Sequence, residues 1–384
     1  AKISRFDASA AKQVKGVIDI VEIKGKNGAV KFHPLAGVAV LASNTYAANK
    51  GREALSIDWD MGKNAKHDSD AFLQERKMMV QKAGKARRKK GDVKQTFAKH
   101  NKQVDAVYTM PYLSHAPMEP PAAAAIFNDD GSCEVWACVQ TPQRTRDTIA
   151  NEIGLDKSKV IVHTTLLGGA FGRKSKPDFA IEAAVLAKAT GKPVKVVWIR
   201  EDDIKHGYYH AISAQYYQAA LDDNGQVDAW LGRTSFPTIG STFKATNTMP
   251  MQFETDGGFA DIAFDIDNIS CEVAKSDAHV RIGWMRSVAN IHHGFGVGSF
   301  VDELAAKAGQ DPKDFWLQLM GRDRRVNVNQ GGYKYRNYGS KQKDYPIDTA
   351  RFKNVIKQAC DNAGWGKSLP AGEGLGLSVH RSFV

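Results

Sequence analysis

One segment, Val160–Asp203, constrains the fold most, because a β-rich run, a glycine-rich loop and a helical run follow one another within it. The run "VIVHTTLL" is rich in β-branched residues and predicts a strand. The run "PDFAIEAAVLAKATG" has apolar residues at helical spacing and predicts a helix. Between them lies "GGAFGRKS", Gly168–Ser175. Exposed backbone amides beside a helix N-terminus favour anions, so this loop is a candidate binding site.

Three interpretations of the loop are open. Its spacing approaches the phosphate-binding pattern G-x-x-x-x-G-K-[ST], with Lys174 and Ser175 in place. However, Arg173 stands where that pattern needs a glycine, which disfavours a nucleotide triphosphatase. The glycines could also serve only the geometry of a turn. The third interpretation is a loop whose main chain approaches a phosphate or cofactor, with Phe171 as the wall of a planar group.

The composition is that of a globular protein with mixed structure. Of the 384 residues, 42% are hydrophobic and 25% are charged. Short helical and β-rich runs alternate, and hairpin turns are predicted at 128–131 and 222–225. These patterns predict an α+β fold. No apolar stretch approaches the roughly 18 residues of a membrane helix. The four cysteines lack metal-ligand spacing and are predicted to be buried.

Most of the positive charge lies in one segment. Between Lys82 and Lys102, nine lysines and arginines face one aspartate, which gives +8 of the net +11. We predict a basic, solvated linker at 81–105, between domains at 1–80 and 106–384. The alternative function from another class is a non-catalytic polyanion-binding or nucleic-acid-binding protein that uses residues 82–102. With Phe97 as its one aromatic, the segment offers no row of stacking platforms, so no nucleic acid is expected as a partner.

Other constellations add to the loop. Gln140 follows a predicted strand and precedes a helix, which is where ligands collect in such units. Arg286 precedes the start of an amphipathic helix, where its guanidinium could reach an anion or form a structural ion pair. The adjacent pair His292 and His293 diverges on a helix, so no metal site is predicted there.

Taken together, four motifs resemble the molybdenum-binding subunit of the xanthine oxidase family. They are "PYLSHAPMEPPAAAA", "VQTPQ", "GGAFGRK…EAAVLAKATGKPVKVVWIREDD" and "WMRSVANIHHGFGVGSFVDELA". The branch that these motifs resemble contains the isoquinoline 1-oxidoreductase β-subunit and membrane-associated aldehyde dehydrogenases. The likeness covers nearly the whole chain. Residues 1–80 resemble the C-terminal part of the hammerhead domain, and residues 106–384 the first, incomplete part of the molybdopterin-binding domain.

The resemblance implies a molybdopterin cofactor, in its cytosine dinucleotide form, and oxidative hydroxylation of an aldehyde or N-heteroaromatic carbon with water. It also implies a small iron–sulfur partner subunit, and a cytochrome c acceptor in some relatives. By position, Gln140 matches the glutamine that binds a molybdenum ligand, and Arg286 matches the arginine of the second approach loop. The loop that lines the metal is matched by Gly169, Ala170, Phe171 and Gly172.

The chain also departs from the family pattern. Ser175 replaces the acidic residue that purine-hydroxylating relatives use, so aldehydes or simple N-heteroaromatics are expected, with Ser175 and Glu119 in the substrate pocket. Arg286-Ser287-Val288-Ala289 replaces the usual Arg-Gly-Phe-Gly. The family's glutamate base belongs to the C-terminal half of such subunits and has no match here. We therefore expect a subunit truncated at both ends, with its C-terminal half on a second chain or removed. The isolated chain should be inactive, in the periplasm if exported and otherwise in the cytoplasm.

Overall fold

The computed structural model describes residues 1–384, in which strands and helices alternate. The strands are β1 (Lys2–Asp7), β2 (Val17–Ile23), β3 (Gly37–Ala42), β4 (Ser56–Asp60), β5 (Lys85–Lys90), β6 (Gln103–Met110), β7 (Ala122–Phe127), β8 (Cys133–Ala137), β9 (Val160–Thr164), β10 (Val194–Val197), β11 (Ser213–Leu221), β12 (Val227–Ser235), β13 (Asn268–Ala274), β14 (Arg325–Val326) and β15 (Ile347–Asp348). The α-helices are α1 (Ser9–Lys12), α2 (Thr45–Glu53), α3 (Ser69–Gln81), α4 (Val93–Phe97), α5 (Pro142–Ile153), α6 (Asp178–Thr190), α7 (Arg200–His206), α8 (Gly240–Phe243), α9 (Gln252–Thr255), α10 (Asn290–Ala308), α11 (Pro312–Met320) and α12 (Thr349–Ala363). The predicted α+β class is confirmed.

A four-stranded sheet positions the glycine-rich loop. Its strand order is β10-β7-β8-β9, and β8 and β9 run parallel, with Ala137 opposite Thr164. Helices α5 and α6 cover one face, where Ile149, Phe179 and Ile181 are fully buried. Because parallel strands end at the same edge of a sheet, the segments that follow β8 and β9 lie side by side.

The largest sheet carries the second half of the core. Its order is β5-β13-β12-β11-β6, and all its pairs are antiparallel except β12 with β13. Helices α10 and α11 pack on it through buried rings of Trp230, Phe300 and Trp316. The apolar stripe predicted for α10 accounts for this packing, since Val297 and Leu304 of that stripe are also buried.

The N-terminal residues form two small antiparallel pairs, β1 with β4 and β2 with β3. Helix α2 is capped by Asn44, whose Oδ1 accepts from the Ala47 N–H at 2.9 Å. Phe32, in the loop after β2, is buried in the same core as α5 and α6. The predicted α+β unit at the N-terminus is therefore present and packs on the four-stranded sheet. The exact domain boundaries stay a prediction.

The prediction of a solvated linker at 81–105 was wrong. Lys85–Lys90 is strand β5 at the edge of the large sheet, and Val93–Phe97 is a helix. Arg88 is buried and its Nη1 donates to the Ala260 and Ile262 carbonyl oxygens at 3.0 and 2.9 Å. Charged side chains suit an edge strand because they oppose pairing with other chains. Charge density therefore misled the sequence interpretation, which expected a linker where the chain forms an edge strand and a short helix.

One smaller prediction also has a clear outcome, since all four cysteines are buried and free, as predicted. Residues 373–384 adopt no regular structure, although Leu377 is buried against the large core. No helix has both the length and the apolar character that a membrane-spanning segment requires.

Candidate functional site

Two loops from distant parts of the chain meet at one point. The first is Gly168–Gly172, after β9, and the second is 283–289, before α10. The backbone N–H of Arg286 donates to the carbonyl oxygen of Phe171 at 2.9 Å. The Arg286 guanidinium lies 5.7 Å from the centroid of the Phe171 ring, within the range of a cation–π contact. The structure therefore brings together the two approach loops that the sequence singled out.

Only glycine can occupy position 172 in this backbone conformation. Its φ is +101°, and a Cβ atom there would lie 2.4 Å from the carbonyl oxygen of Trp284. Gly169 also has a positive φ, of +90°. Phe171 between them adopts a φ of 51°, which is rare for a large side chain, and its ring is 45% exposed. The loop is thus held in a strained shape that presents an aromatic ring outward.

Gln140 joins the first loop from the neighbouring strand. Its side-chain Oε1 accepts from the Gly172 N–H at 3.1 Å, and its own backbone N–H donates to the Lys174 carbonyl oxygen at 3.0 Å. Its Nε2 group makes no protein hydrogen bond and can donate to a ligand. The parallel alignment of β8 and β9 explains why these residues meet.

A cavity of about 810 Å³ opens beside the two loops. Its walls come from the segment after β6, from both loops, from one face of α10 and from the segment 376–380. The lining residues are Ser114, His115, Phe171, Met285, Arg286, Ser287, Asn290, Ile291, Gly294, Phe295, Gly298, Ser299, Asp302, Gly376, Leu377, Ser378 and His380. The mixture of apolar walls and a few polar groups is typical of a site for a small organic ligand.

Three ionisable groups of the cavity have shifted pKa values, and burial lowers the pKa of one of them, His380, to about 4. Burial lowers the pKa of His115 to about 3, and the positive charge of Lys176 adds to the effect. Nε2 of the neutral His115 ring lies 2.8 Å from the carbonyl oxygen of Trp284. Because a carbonyl oxygen can only accept, Nε2 carries the hydrogen and is the donor. Burial also raises the pKa of Asp302, whose Oδ1 has no protein partner.

Comparisons with known proteins identify the family. Residues 75–318 match the molybdopterin cofactor-binding domain model. The chain belongs to that family. It is 30% identical to the membrane-bound aldehyde dehydrogenase [pyrroloquinoline-quinone] of Gluconacetobacter polyoxogenes, over 98% of this chain and 48% of the relative. It is 27% identical to the isoquinoline 1-oxidoreductase β-subunit of Brevundimonas diminuta, over 82% of this chain and 40% of the relative.

Solved structures agree in fold. The aldehyde oxidoreductase of Desulfovibrio gigas superposes with a TM-score of 0.70 at 19% identity, over 96% of this chain and 43% of that one. The CO dehydrogenase of Oligotropha carboxidovorans gives 0.67 at 18% identity, over 95% and 49%. The predicted likeness to xanthine oxidase family molybdenum-binding subunits is thus confirmed. The chain spans half or less of the length of these relatives.

The residues of this molybdopterin-binding domain fit the cofactor of the family. The missing side chain at Gly172 lets its main chain pack against the carbonyl oxygen of Trp284, which holds the two loops together beside the cavity. Gln140 offers a free donor there, and Arg286 offers a cation to an anionic group such as a phosphate. These features are those expected where a pterin with a phosphate ester is held. The individual roles of Gln140, Gly169, Ala170, Phe171 and Arg286 stay predictions.

The two residues predicted for the substrate pocket, Ser175 and Glu119, do not line this cavity, and their role in a substrate pocket stays a prediction. Ser175 is buried, and its Oγ donates to the Gly172 carbonyl oxygen at 2.6 Å. Glu119 accepts from the Gly168 N–H at 3.0 Å and from Lys174 Nζ at 2.5 Å. Burial acts to raise the pKa of Glu119, but these hydrogen bonds outweigh it and the net shift is downward. Neither residue lines the cavity, because both side chains hold the loop in shape.

The same contacts contradict the triphosphatase interpretation. In that interpretation Lys174 would reach the phosphates from the loop. Instead its side chain is fully buried and pairs with Glu119. The loop is also followed by the short 3₁₀ turn Arg173–Ser175, so no long helix begins at the glycines. No group of three or more His, Cys, Asp or Glu residues is arranged to hold a metal ion.

Sequence reasoning missed a buried cationic layer beneath the loop. Arg173 donates to both carboxylate oxygens of Asp178, at 2.8 and 3.1 Å, and Arg281 donates to the same carboxylate at 3.1 Å. Lys176 Nζ donates to the Gly172 and Trp284 carbonyl oxygens at 2.7 and 2.8 Å. Burial lowers the pKa of Lys176 well below its usual value, and nearby Arg173 adds to this. The run "GRKSKPD" was the available signal, since its cations and Asp178 lie close in sequence.

Proposed function

We propose that the chain forms the cofactor-binding part of a molybdenum-dependent oxidoreductase that hydroxylates an aldehyde or N-heteroaromatic carbon with oxygen from water. The observation that carries the proposal is the junction of Phe171 with Arg286 on the wall of the 810 Å³ cavity. It joins the two loops that, on this proposal, approach the cofactor. The relatives named as an aldehyde dehydrogenase and an isoquinoline oxidoreductase support these substrate classes.

The cofactor we propose is molybdopterin, in its cytosine dinucleotide form. When bound, the molybdenum centre would supply the oxidising power and the water-derived oxygen of the reaction. The free Nε2 group of Gln140 would donate to a ligand of the metal, and the exposed ring of Phe171 would cover one side of the site. Arg286 would neutralise an anionic group of the cofactor. Neutral His115 keeps Nδ1 as an acceptor on the cavity wall.

Aldehydes and simple N-heteroaromatics are the favoured substrates because Ser175 stands where purine-hydroxylating relatives have an acidic residue, and its Oγ donates to Gly172 instead of facing the cavity. A purine-type site needs an acidic group at that position, and the carboxylate nearest the loop, Glu119, is already paired with Lys174. Neither Ser175 nor Glu119 therefore presents a free carboxylate to a substrate. Small carbonyl compounds and unsubstituted heteroaromatic rings suit a site without one.

The remaining parts of the reaction are placed on other segments or chains. We propose that a glutamate base lies in the part of the subunit that corresponds to the second half of the relatives. Electrons would pass to a small iron–sulfur subunit, and from there to a carrier such as a cytochrome c. On this proposal the chain by itself binds cofactor without catalysing turnover.

The test is elemental analysis of the natively purified protein together with the intact masses of every chain that co-purifies. Stoichiometric molybdenum, with iron and a companion chain, would support the proposal. Because one relative is named for pyrroloquinoline quinone, extractable quinone should be assayed in the same sample. Quinone without molybdenum would overturn the cofactor assignment, and so would a protein that carries neither.

A matched pair of variants tests the site itself. Gln140→Ala removes the free amide beside Gly172, whereas Gln143→Ala changes the same residue type one turn along, in α5. Loss of a group that supports a metal ligand usually lowers affinity by about tenfold or more. We expect Gln140→Ala to lower the molybdenum content per chain and Gln143→Ala to leave it unchanged. Equal molybdenum content in the two variants would contradict the role of Gln140.

A further inference from the structure

Buried polar atoms without protein partners concentrate in one place behind the cavity. We name it the polar seam, and it consists of His210, Ser213, Gln215, Tyr217 and His292. Each of these residues is at most 3% exposed. Their unpartnered atoms are His210 Nδ1, Ser213 Oγ, both amide atoms of Gln215, Tyr217 Oη and both ring nitrogens of His292. No other region of the structure has as many.

The seam lies between strand β11 and helix α10. Ser213, Gln215 and Tyr217 alternate along β11 and therefore point to the same face of the sheet. That face meets α10, because a Cβ atom on Gly296 would lie 3.3 Å from Tyr217 Oη and 3.6 Å from Gln215 Cβ. His292, one turn earlier on α10, has its ring centroid 5.3 Å from that of His210.

The next residue, His293, shows that a buried histidine in this region can have partners for both ring nitrogens. His293 is equally buried, yet its Nδ1 lies 3.1 Å from the Gly257 carbonyl oxygen and its Nε2 lies 3.2 Å from Thr234 Oγ1. His292 has no such contact on either nitrogen. A neutral imidazole must place one donor and one acceptor, so His292 needs a partner that the protein does not supply.

The seam begins directly at the cavity. His210 Nε2 lies 3.3 Å from the carbonyl oxygen of Val288, and Ser287, the residue before Val288, lines the cavity. Asn290 and Ile291 of α10 line the cavity as well, next to His292 in sequence. Only the first turn of α10 separates the seam from the cavity.

The chemistry of these atoms identifies the ligand class. The seam offers donors, acceptors and groups that do both, without a net charge. A metal ion is excluded because no group of three or more ligating side chains exists there. If all these buried polar atoms lacked hydrogen-bond partners, the free energy lost would be comparable to the whole folding stability of a domain. Water suits a site with two to four polar neighbours for each molecule.

We propose that the polar seam binds a chain of internal water molecules that joins His292 to the cavity. Water and imidazole both donate and accept hydrogen bonds, so such a chain lets protons exchange between the interior and the cavity. The burial that lowers the pKa of His292 keeps its ring neutral, which is the form that can both donate and accept. The proposal is independent of the proposed function, since it concerns the chain without cofactor.

The test is nuclear magnetic resonance on the chain with ¹⁵N-labelled histidine, with His292→Gln used to assign the ring signals. We expect water cross-peaks at the His292 ring. Its N–H should exchange with solvent roughly a hundredfold or more faster than backbone amides of β11, which must await opening of the sheet. His163→Phe, on the exposed side of β9, is the control and should leave the His292 signals unchanged. A ring N–H that exchanges as slowly as the β11 amides, without water cross-peaks, would overturn the proposal.

The melting temperature of a His292→Phe variant is an independent test, because a hydrated seam and a dry seam predict changes in opposite directions. If water molecules form hydrogen bonds with His292, then His292→Phe leaves those waters without a partner. The melting temperature should then fall by about 3 °C or more. If the seam is dry, the same change removes two unsatisfied atoms and raises the melting temperature. Should His292→Phe fail to fold, the wild-type exchange measurement decides the matter alone.

Discussion

The carbonyl oxygen of Phe171 accepts a 2.9 Å hydrogen bond from the backbone N–H of Arg286. This bond ties a loop after strand β9 to a loop before helix α10, which are separated by more than a hundred residues. Lys176 strengthens the junction from below, since its Nζ donates to the carbonyl oxygens of Gly172 and Trp284, one in each loop. These hydrogen bonds therefore hold the two loops that wall the candidate cofactor site together as one unit.

Replacing Gly172 should break that unit. Gly172→Ala would strain a φ of +101° and place Cβ 2.4 Å from the Trp284 carbonyl oxygen. We expect a loss of about 3 kcal/mol in the free energy of unfolding, from the left-handed backbone and the forced shift of Trp284 together. Urea denaturation measures it.

Gly131→Ala is the matched control for this change. Gly131 also has a positive φ, of +76°, but nothing lies within 4 Å of its Cβ position. The backbone cost alone should be about 1 kcal/mol. Equal losses for the two variants would show that the contact with Trp284 is unimportant.

Ser287 occupies a position where the resembled family has glycine, and its φ of 70° explains the preference of the family. We expect Ser287→Gly to relieve this strain and raise the free energy of unfolding by about 1 kcal/mol. Ser340→Gly, at a φ of −91°, is the control and should lower stability slightly, because glycine is more flexible in the unfolded chain. The idea fails if both serine variants change stability in the same direction.

The site could be predicted from the sequence where local patterns and parallel strands sufficed. Gln140 and the glycine loop follow strands that the sequence indicated, and neighbouring parallel strands bring their ends together. The contacts of Ser175 and Glu119 with the glycine loop were not foreseen, because position in a motif does not say which way a side chain points. The basic segment was misread because Arg88 looks like a surface residue until its two carbonyl partners are seen.

The cavity itself lay beyond sequence reasoning. Its polar residues His115, Asn290 and His380 come from three distant segments, and only the tertiary packing of α10 against both loops brings them together. The buried pair of Arg173 with Asp178 was equally hidden, since burial of a charge depends on what packs over it. In both cases the missing information was long-range contact.

That buried pair predicts a large effect. Asp178→Asn would leave Arg173 and Arg281 buried without their shared counter-charge, and the side chains of Arg173 and Asp178 are at most 1% exposed. We expect a loss of about 3–5 kcal/mol in the free energy of unfolding, measured by urea denaturation. Asp58→Asn breaks the exposed pair with Arg5 and should cost at most about 1 kcal/mol. Similar losses for the two variants would show that Asp178 does not neutralise the layer.

The last prediction concerns acid stability. The pKa of His115 is about 3 in the folded protein, against the usual value near 6.5, so the unfolded chain binds more protons between these limits. Its contribution to stability is therefore present at neutral pH and is lost as the pH falls, by about 2 kcal/mol between pH 6.5 and pH 5. Buried Glu254 and Asp261, with pKa values raised to about 7 by burial, act in the opposite direction over this range. The test is consequently the difference between wild type and His115→Gln in unfolding free energy at the two pH values, with exposed His163→Gln as control. His115→Gln should lose less stability on acidification than wild type, and identical pH dependence would show that folding does not lower the pKa of His115.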